Sequence, residues 1–166
     1  MISSILQATQ LEAEGVRVER HEVSLKDFLD DLRSSYSIPL GKELSVIWDY
    51  SLDLPVVHTD AEKLKHVLQN LINNAIKFTP RGHVTVSVTC LNGAVKGEDG
   101  RQPAEAVEFK VADTGIGIAK EFFPVIFERF HQVDSTETRH YGGVGIGLYI
   151  VKKFTEILGG KIGQDV

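Results

Sequence analysis

Three groups of residues have types and spacings that could do chemistry. The first is a polar stripe, Asn70, Asn74 and Lys77, at i, i+4 and i+7. At about 100° per residue these fall on one side of a helix, beside its apolar face. Asparagine is a mediocre helix former, yet Asn70, Asn73 and Asn74 lie within five residues. Neutral amide oxygens suit a hard cation such as Mg²⁺ that already carries phosphates, because they coordinate it without adding negative charge. A solvated helix edge is the plain alternative. The second group is Asp113 with Gly115-Ile116-Gly117. The alternation of Val107, Phe109 and Val111 puts the Asp113 carboxylate on the core-facing side of a strand, at its C-terminal end. A buried carboxylate needs hydrogen-bond donors, and an exocyclic amine such as that of adenine is a fitting one. The glycines permit tight turning and close approach of a ligand; a turn aspartate that caps its own loop is the other reading. The third is Gly142-Gly143-Val144-Gly145-Ile146-Gly147, leading into a helix. Backbone N–H groups at a helix N-terminus form an anion site suited to phosphate. No Gly-Lys-Ser/Thr follows, so this is not a P-loop, and it does not directly follow a strand as a dinucleotide-binding turn would.

Elements must hold these groups in place. Ser24 followed by Asp27 reads as a helix cap, with Leu25, Phe28, Leu29 and Leu32 as an apolar stripe on a helix to about Ser37. Leu44 to Tyr50 reads as a strand, and Pro55 to His58 as a very short one. Thr59 and Asp60 open the strongest helix, to about Phe78, with Thr59 and Glu62 as a capping box. Its apolar face is Leu64, Val67, Leu68, Leu71 and Ala75, and Pro80 and Gly82 end it. Val84, Val86, Val88 and Cys90 alternate with Thr85, Ser87 and Thr89, which predicts a strand with the first set in the core. Asn92 to Pro103 reads as a polar hairpin loop, and Val107 to Val111 as the returning strand. A short segment follows around Phe122 to Phe130, then a polar stretch, His131 to Tyr141. A last helix is predicted from about Gly145 to Leu158, with Leu148, Val151 and Ile157 as its packing face. Gly159-Gly160 breaks it, and Lys161 to Val166 reads as the start of a strand.

Composition bounds the function. A chain of 166 residues, 42% hydrophobic and 25% charged, is that of one ordinary soluble domain. Its net charge of −5 argues against a nucleic-acid binder. Cys90 is the single cysteine, so there is neither an internal disulfide nor a cysteine cluster for zinc, and a reducing, cytoplasmic setting is expected. The six histidines lack metal-binding spacing, and no GxSxG elbow is present. No apolar run reaches the roughly 20 residues of a membrane span, and Met1 to Gln10 does not read as a signal peptide.

In order and wording, NLINNAIKF (Asn70 to Phe78), DTGIGI (Asp113 to Ile118), FERF (Phe127 to Phe130) and GGVGIGL (Gly142 to Leu148) resemble the N, G1, F and G2 boxes of sensor histidine kinases. The resemblance spans roughly Val23 to Val166 and is to the ATP-binding catalytic domain of two-component signalling proteins, in the GHKL superfamily. It implies a Bergerat-type α/β fold: a two-layer sandwich of a mixed, largely antiparallel sheet with helices on one face. The ligands implied are ATP and Mg²⁺. Asn74 then corresponds to the Mg²⁺ ligand, with Asn70 and Lys77 on the phosphate side of the pocket, and Asn70 the one residue of the chain to consider for catalysis. Phe78 packs near the adenine, and Asp113 receives its amino group. Gly115, Gly117 and Ile118 belong to the purine pocket, while Gly143, Gly145, Gly147 and Leu148 meet the phosphates. The lid over the nucleotide corresponds to about His131 to Tyr141, and Arg139, its one arginine, is the candidate for the γ-phosphate. The partners implied are a histidine-bearing dimerisation domain and, indirectly, a response regulator or receiver domain, with no nucleic acid and no direct membrane contact.

There are departures from the family pattern. Gln132 stands where many relatives have arginine after the F box, as in some hybrid-type kinases, and Val144 replaces a common Ser or Thr. His21-Glu22-Val23 has a superficial likeness to the phospho-acceptor motif, but Ser24 follows where arginine belongs, and Asp27-Phe28 offer no proline. His21 is therefore read as a surface residue and the acceptor is expected elsewhere. Residues 1–15 are expected to be the remnant of a dimerisation helix or linker, and 16–166 the catalytic domain, with its last strand truncated. A solvated N-terminal arm is the other reading of Met1 to Gly15. Two other functions remain open: an ATPase clamp or chaperone module of the same superfamily, and a non-catalytic nucleotide sensor. The clamp ATPases carry a glutamate one turn before the metal asparagine to activate water. Here that position is Asn70, which is no general base.

Overall fold

The structure is a computed structural model that describes residues 16–95, 104–128 and 146–164. In chain order its elements are β1 (His21–Ser24), α1 (Leu25–Ser34), β2 (Leu44–Tyr50), β3 (Val56–Thr59), α2 (Ala61–Lys77), β4 (Gly82–Val95), β5 (Ala104–Asp113), a 3₁₀ turn (Lys120–Phe122) and α3 (Gly147–Ile157). The expectations for Met1 to Gly15, the lid stretch His131 to Tyr141 with Arg139, and Gly143 and Gly145 lie outside the described residues.

Helix α1 is capped as expected: Asp27 N donates to Ser24 Oγ at 3.4 Å. It ends at Ser34, short of Ser37. The Ser34 and Ser35 hydroxyls donate to the carbonyls of Asp31 and Leu32 (2.7 and 2.6 Å), and the Tyr36 N–H turns back to Arg33 O. Such local side-chain bonds compete with helix continuation. Helix α2 is capped by Asp60 and not by Thr59, because Thr59 is the last residue of β3, paired with His21. The buried side chains of α2 are Leu64, Val67, Leu68, Ile72 and Ala75. Ile72, outside the expected stripe, is fully buried, while Leu71 is only half-buried, because α2 is covered on two sides and its apolar arc is broad.

Strand β4 lies at the centre of a mixed sheet, parallel to β2 and antiparallel to β5. β1 and β3 form a separate antiparallel pair. Val86 and Val88 point at Leu25, Leu29, Leu32, Leu64, Leu68 and Ile72, so α1 and α2 cover one face of the sheet. Val84 packs with Leu44 and Ala75 beside them. The opposite face carries Thr85, Ser87 and Thr89. This is the expected two-layer sandwich. Cys90 departs from expectation: it is only partly buried, because it lies toward the end of the sheet, where it lines a cleft with Pro55, Val56 and His58. β4 runs to Val95, farther into the expected loop than the turn residues Asn92 and Gly93 suggest. Helix α3 begins at Gly147 and ends at Ile157; Val151 is buried, and Ile157 packs half-buried beside it. Lys161 to Gln164 form no strand, and the last two residues are outside the description.

Helix α3 packs on α2 through its own apolar cluster, in which Val67 meets Ile146, Ile150, Val151 and Phe154. Among the described residues no helix is long and apolar enough to cross a membrane.

Candidate functional site

The polar edge of α2 is the axis of the site. Asn70 and Asn74 are half-buried, whereas Asn73, off the stripe, is exposed. The Asn70 Nδ2 donates to His66 O at 2.8 Å, which leaves its Oδ1 directed away from its own helix backbone. The first turn of α3 sits against this edge. A side chain on Gly147 would begin 3.2 Å from Asn70 Oδ1 and 3.7 Å from Asn74 Nδ2. Glycine thus eases the approach of the α3 backbone to Asn70, with Asn74 at ordinary contact distance. Ile146, at the N-cap of α3, gives no side-chain cap, so the first N–H groups of the helix have no such acceptor. Leu148 is half-buried in the same turn. Together these groups offer amide oxygens and backbone N–H donors to one ligand. That donor set fits a hard cation accompanied by phosphates.

Two turns farther along α2 from Asn70 lies a second corner. Ile116 N donates to Phe78 O at 3.1 Å, tying the loop after β5 to the C-terminus of α2. Gly115 is required by space: a side chain there would begin 2.2 Å from Phe78 O, 2.7 Å from Thr79 Oγ1 and 2.9 Å from Asp113 Oδ1. Gly117 is required by conformation, with φ +72° and open space around it. Asp113 is exposed, which corrects the expectation of a core-facing carboxylate. Its register partner Val84 is fully buried, so the strand phase is right, but Asp113 ends β5 beyond the covering helices. Its Oδ1 accepts from Gly115 N at 2.9 Å, the loop-capping contact of a turn aspartate, and the carboxylate remains open to a donor from outside. Ile116 and Ile118 are exposed large apolar side chains on the same loop.

Lys77 and Phe78 join the two corners. The Lys77 Nζ lies 5.1 Å from the Phe78 ring centroid, and burial holds the Lys77 amine below its ordinary value. From the α1–β2 connection, Lys42 Nζ donates to Ile76 O and so helps fix the last turn of α2. At the opposite end of α2, buried Asp60 accepts from Lys63 N (3.2 Å), Lys63 Nζ (2.7 Å) and Glu19 N (2.9 Å). Lys63 Nζ also donates to Arg17 O at 2.8 Å. Burial alone would raise the Asp60 carboxyl, but the bonds from Lys63 and from the Glu19 backbone outweigh it and hold the group at about 2.

Asn70, Asn74, Gly147 and Leu148 therefore meet at one corner, and Phe78, Asp113, Gly115, Gly117 and Ile118 at the other, with Lys77 beside Phe78. His21 is an exposed residue of β1. Two residues absent from the sequence reading belong to the second corner. Thr114 Oγ1 accepts from His83 N at 3.0 Å and pins the loop to β4. Thr79 is fully buried directly after Phe78. Threonine beside the helix-ending Pro80 was the available signal for Thr79.

Residues 59–164 match the family described as histidine kinase-, DNA gyrase B-, and HSP90-like ATPase. The autoinducer 2 sensor kinase/phosphatase LuxQ of Vibrio vulnificus is 35% identical over 165 residues, which is 98% of this chain and 18% of that protein. The sensor histidine kinase AruS of Pseudomonas aeruginosa is 38% identical over 168 residues, 99% of this chain and 16% of AruS. The chain thus spans less than a fifth of the length of either relative. Among solved structures, full-length ShkA in complex with AMPPNP superposes with a TM-score of 0.74 at 27% identity, over 98% of this chain and 33% of that one. The catalytic domain of the histidine kinase ThkA has the same fold, with a TM-score of 0.61 at 21% identity over 84% of this chain and 82% of its own.

Proposed function

Since the chain belongs to the histidine kinase-, DNA gyrase B-, and HSP90-like ATPase family, we propose that it is the ATP-binding catalytic domain of a two-component sensor histidine kinase. It binds ATP with Mg²⁺ and presents the γ-phosphate to a histidine on a separate dimerisation domain. The observation that carries this reading is the convergence of Gly147 on Asn70 and Asn74 at one corner while Gly115 brings Asp113 against the end of α2 at the other. The Asp113 carboxylate accepts the exocyclic amine of the base, with Phe78, Gly117 and Ile118 around it. Asn74, supported by Asn70, would hold the metal through its amide oxygen, and the α3 N-terminus with Lys77 receives the phosphates. When bound, the metal would neutralise charge that develops on the transferred phosphoryl group. The chain's own contribution is positioning and electrostatic complementarity. Asn70 cannot take a proton from water, so the position that carries the base in the clamp ATPases supplies none here. The names of the relatives, one of them a hybrid signal transduction histidine kinase A of Dictyostelium discoideum, support a kinase role in signal transduction, and a response regulator or receiver domain downstream is the partner this reading implies. A cytoplasmic setting agrees with that role.

Isothermal titration with a non-hydrolysable ATP analogue and Mg²⁺ tests the pocket. Binding should be lost in Asp113→Ala and in Asn74→Ala; unchanged affinity in both rules the pocket out. Mixed with its cognate dimerisation domain and radiolabelled ATP, the chain should label a histidine, whereas rapid phosphate release without a labelled partner points to an ATPase.

A further inference from the structure

Thr79 is completely buried, and its Oγ1 has no hydrogen-bond partner among the described residues. A buried hydroxyl without a partner carries a cost that a valine of the same shape would not. The direction of that hydroxyl is informative. The point at which a Gly115 side chain would start is 2.7 Å from Thr79 Oγ1 and 2.9 Å from Asp113 Oδ1, so two oxygens from distant parts of the chain converge on one small gap that glycine keeps open. Among the described residues the donor to Asp113 Oδ1 is Gly115 N, and Asp113 is an exposed residue.

We propose that Thr79 is a positioning residue for Asp113: its hydroxyl donates to the Asp113 carboxylate when a purine covers the site. This rests on the reading of Asp113 as the acceptor for the exocyclic amine of the base. A base seated on Asp113 displaces the water that solvates the carboxylate, and a desolvated carboxylate needs donors to stay charged. Gly115 N supplies one and Thr79 Oγ1 the second, which leaves the other carboxylate oxygen aimed at the ligand. The unpartnered hydroxyl is then a donor held in reserve, and its cost is recovered on binding.

The test uses the full 166-residue chain with Thr79→Val and Thr79→Ser. Affinity for a non-hydrolysable ATP analogue with Mg²⁺ is measured by titration calorimetry, and thermal unfolding is measured without nucleotide. Loss of a hydrogen bond to a charged group predicts that Thr79→Val binds about tenfold or more weakly. It should nevertheless unfold at the same or a higher temperature than the parent, since an orphaned hydroxyl is gone. Thr79→Ser should bind within about threefold of the parent. Equal affinity in Thr79→Val and the parent overturns the proposal. Should Thr79→Val also lower the unfolding temperature, Thr79→Ser decides: restored affinity supports the hydroxyl, and equal weakness overturns it. Asp113→Ala separates the two levels of the argument. If that variant binds like the parent, the nucleotide reading itself fails; if it does not bind while Thr79→Val does, only the role of Thr79 fails.

Discussion

Replacing Asp60 by asparagine isolates the charge at the start of α2, because asparagine is an equally good N-cap of nearly the same shape. The Asp60 carboxyl titrates at about 2, against an ordinary value of 3.8. A group held below its unfolded value stabilises the fold above that value and loses its contribution as pH falls through the folded one. The linked stability is roughly 2 kcal/mol at neutral pH, about half of that at pH 3, and almost nothing at pH 2. Asp60→Asn should therefore lower the urea-unfolding free energy by roughly 2 kcal/mol at pH 7, and the gap between parent and variant should narrow on acidification. Denaturation curves of both proteins at pH 7, 4 and 3, at constant ionic strength, provide the measurement. A gap that stays the same from pH 7 to pH 3, or no gap at pH 7, refutes the argument. Hydrogen exchange at the Glu19 amide should accelerate in the variant, since that N–H is bonded to Asp60 at 2.9 Å.

Gly115→Ala and Gly117→Ala should fail differently. The first forces a side chain to 2.2 Å from Phe78 O and should abolish binding of the ATP analogue in calorimetry, whereas the second strains the backbone at φ +72°, costing about 1 kcal/mol of unfolding free energy. Ile150→Ala, at a fully buried position between α3 and α2, should cost about 2–5 kcal/mol in chemical denaturation.

Much of the fold could be read from periodicity, because α2 and β4 each carry a long, regular apolar pattern. Strand alternation assigned Asp113 to the right side of β5, but alternation says nothing about how far the covering layer extends, so the exposure of that carboxylate could not be read. The choice between Thr59 and Asp60 as helix cap depends on the pairing of Thr59 with His21, a non-local fact. The same holds for Thr79 and Gly115, whose approach arises only when the loop after β5 bonds to Phe78 O. Glycine-rich wording pointed to Gly147, yet its closeness to Asn70 belongs to the packing of α3 on α2. Lys42 meets Ile76 O across a connection that has no sequence signature.

The apolar contacts of the chain fall into separate islands. Leu25, Leu29, Leu68 and Val86 knit the sheet to its helices, while Ile146, Ile150, Val151 and Phe154 hold α3 to α2 through Val67. A purine would thus sit beside the sheet-side residues Ala75 and Val84, next to Asp113, and its phosphate tail beside the α3 set. Volume-conserving change confined to the α3 set would adjust the grip on the tail while the base seat stays in place.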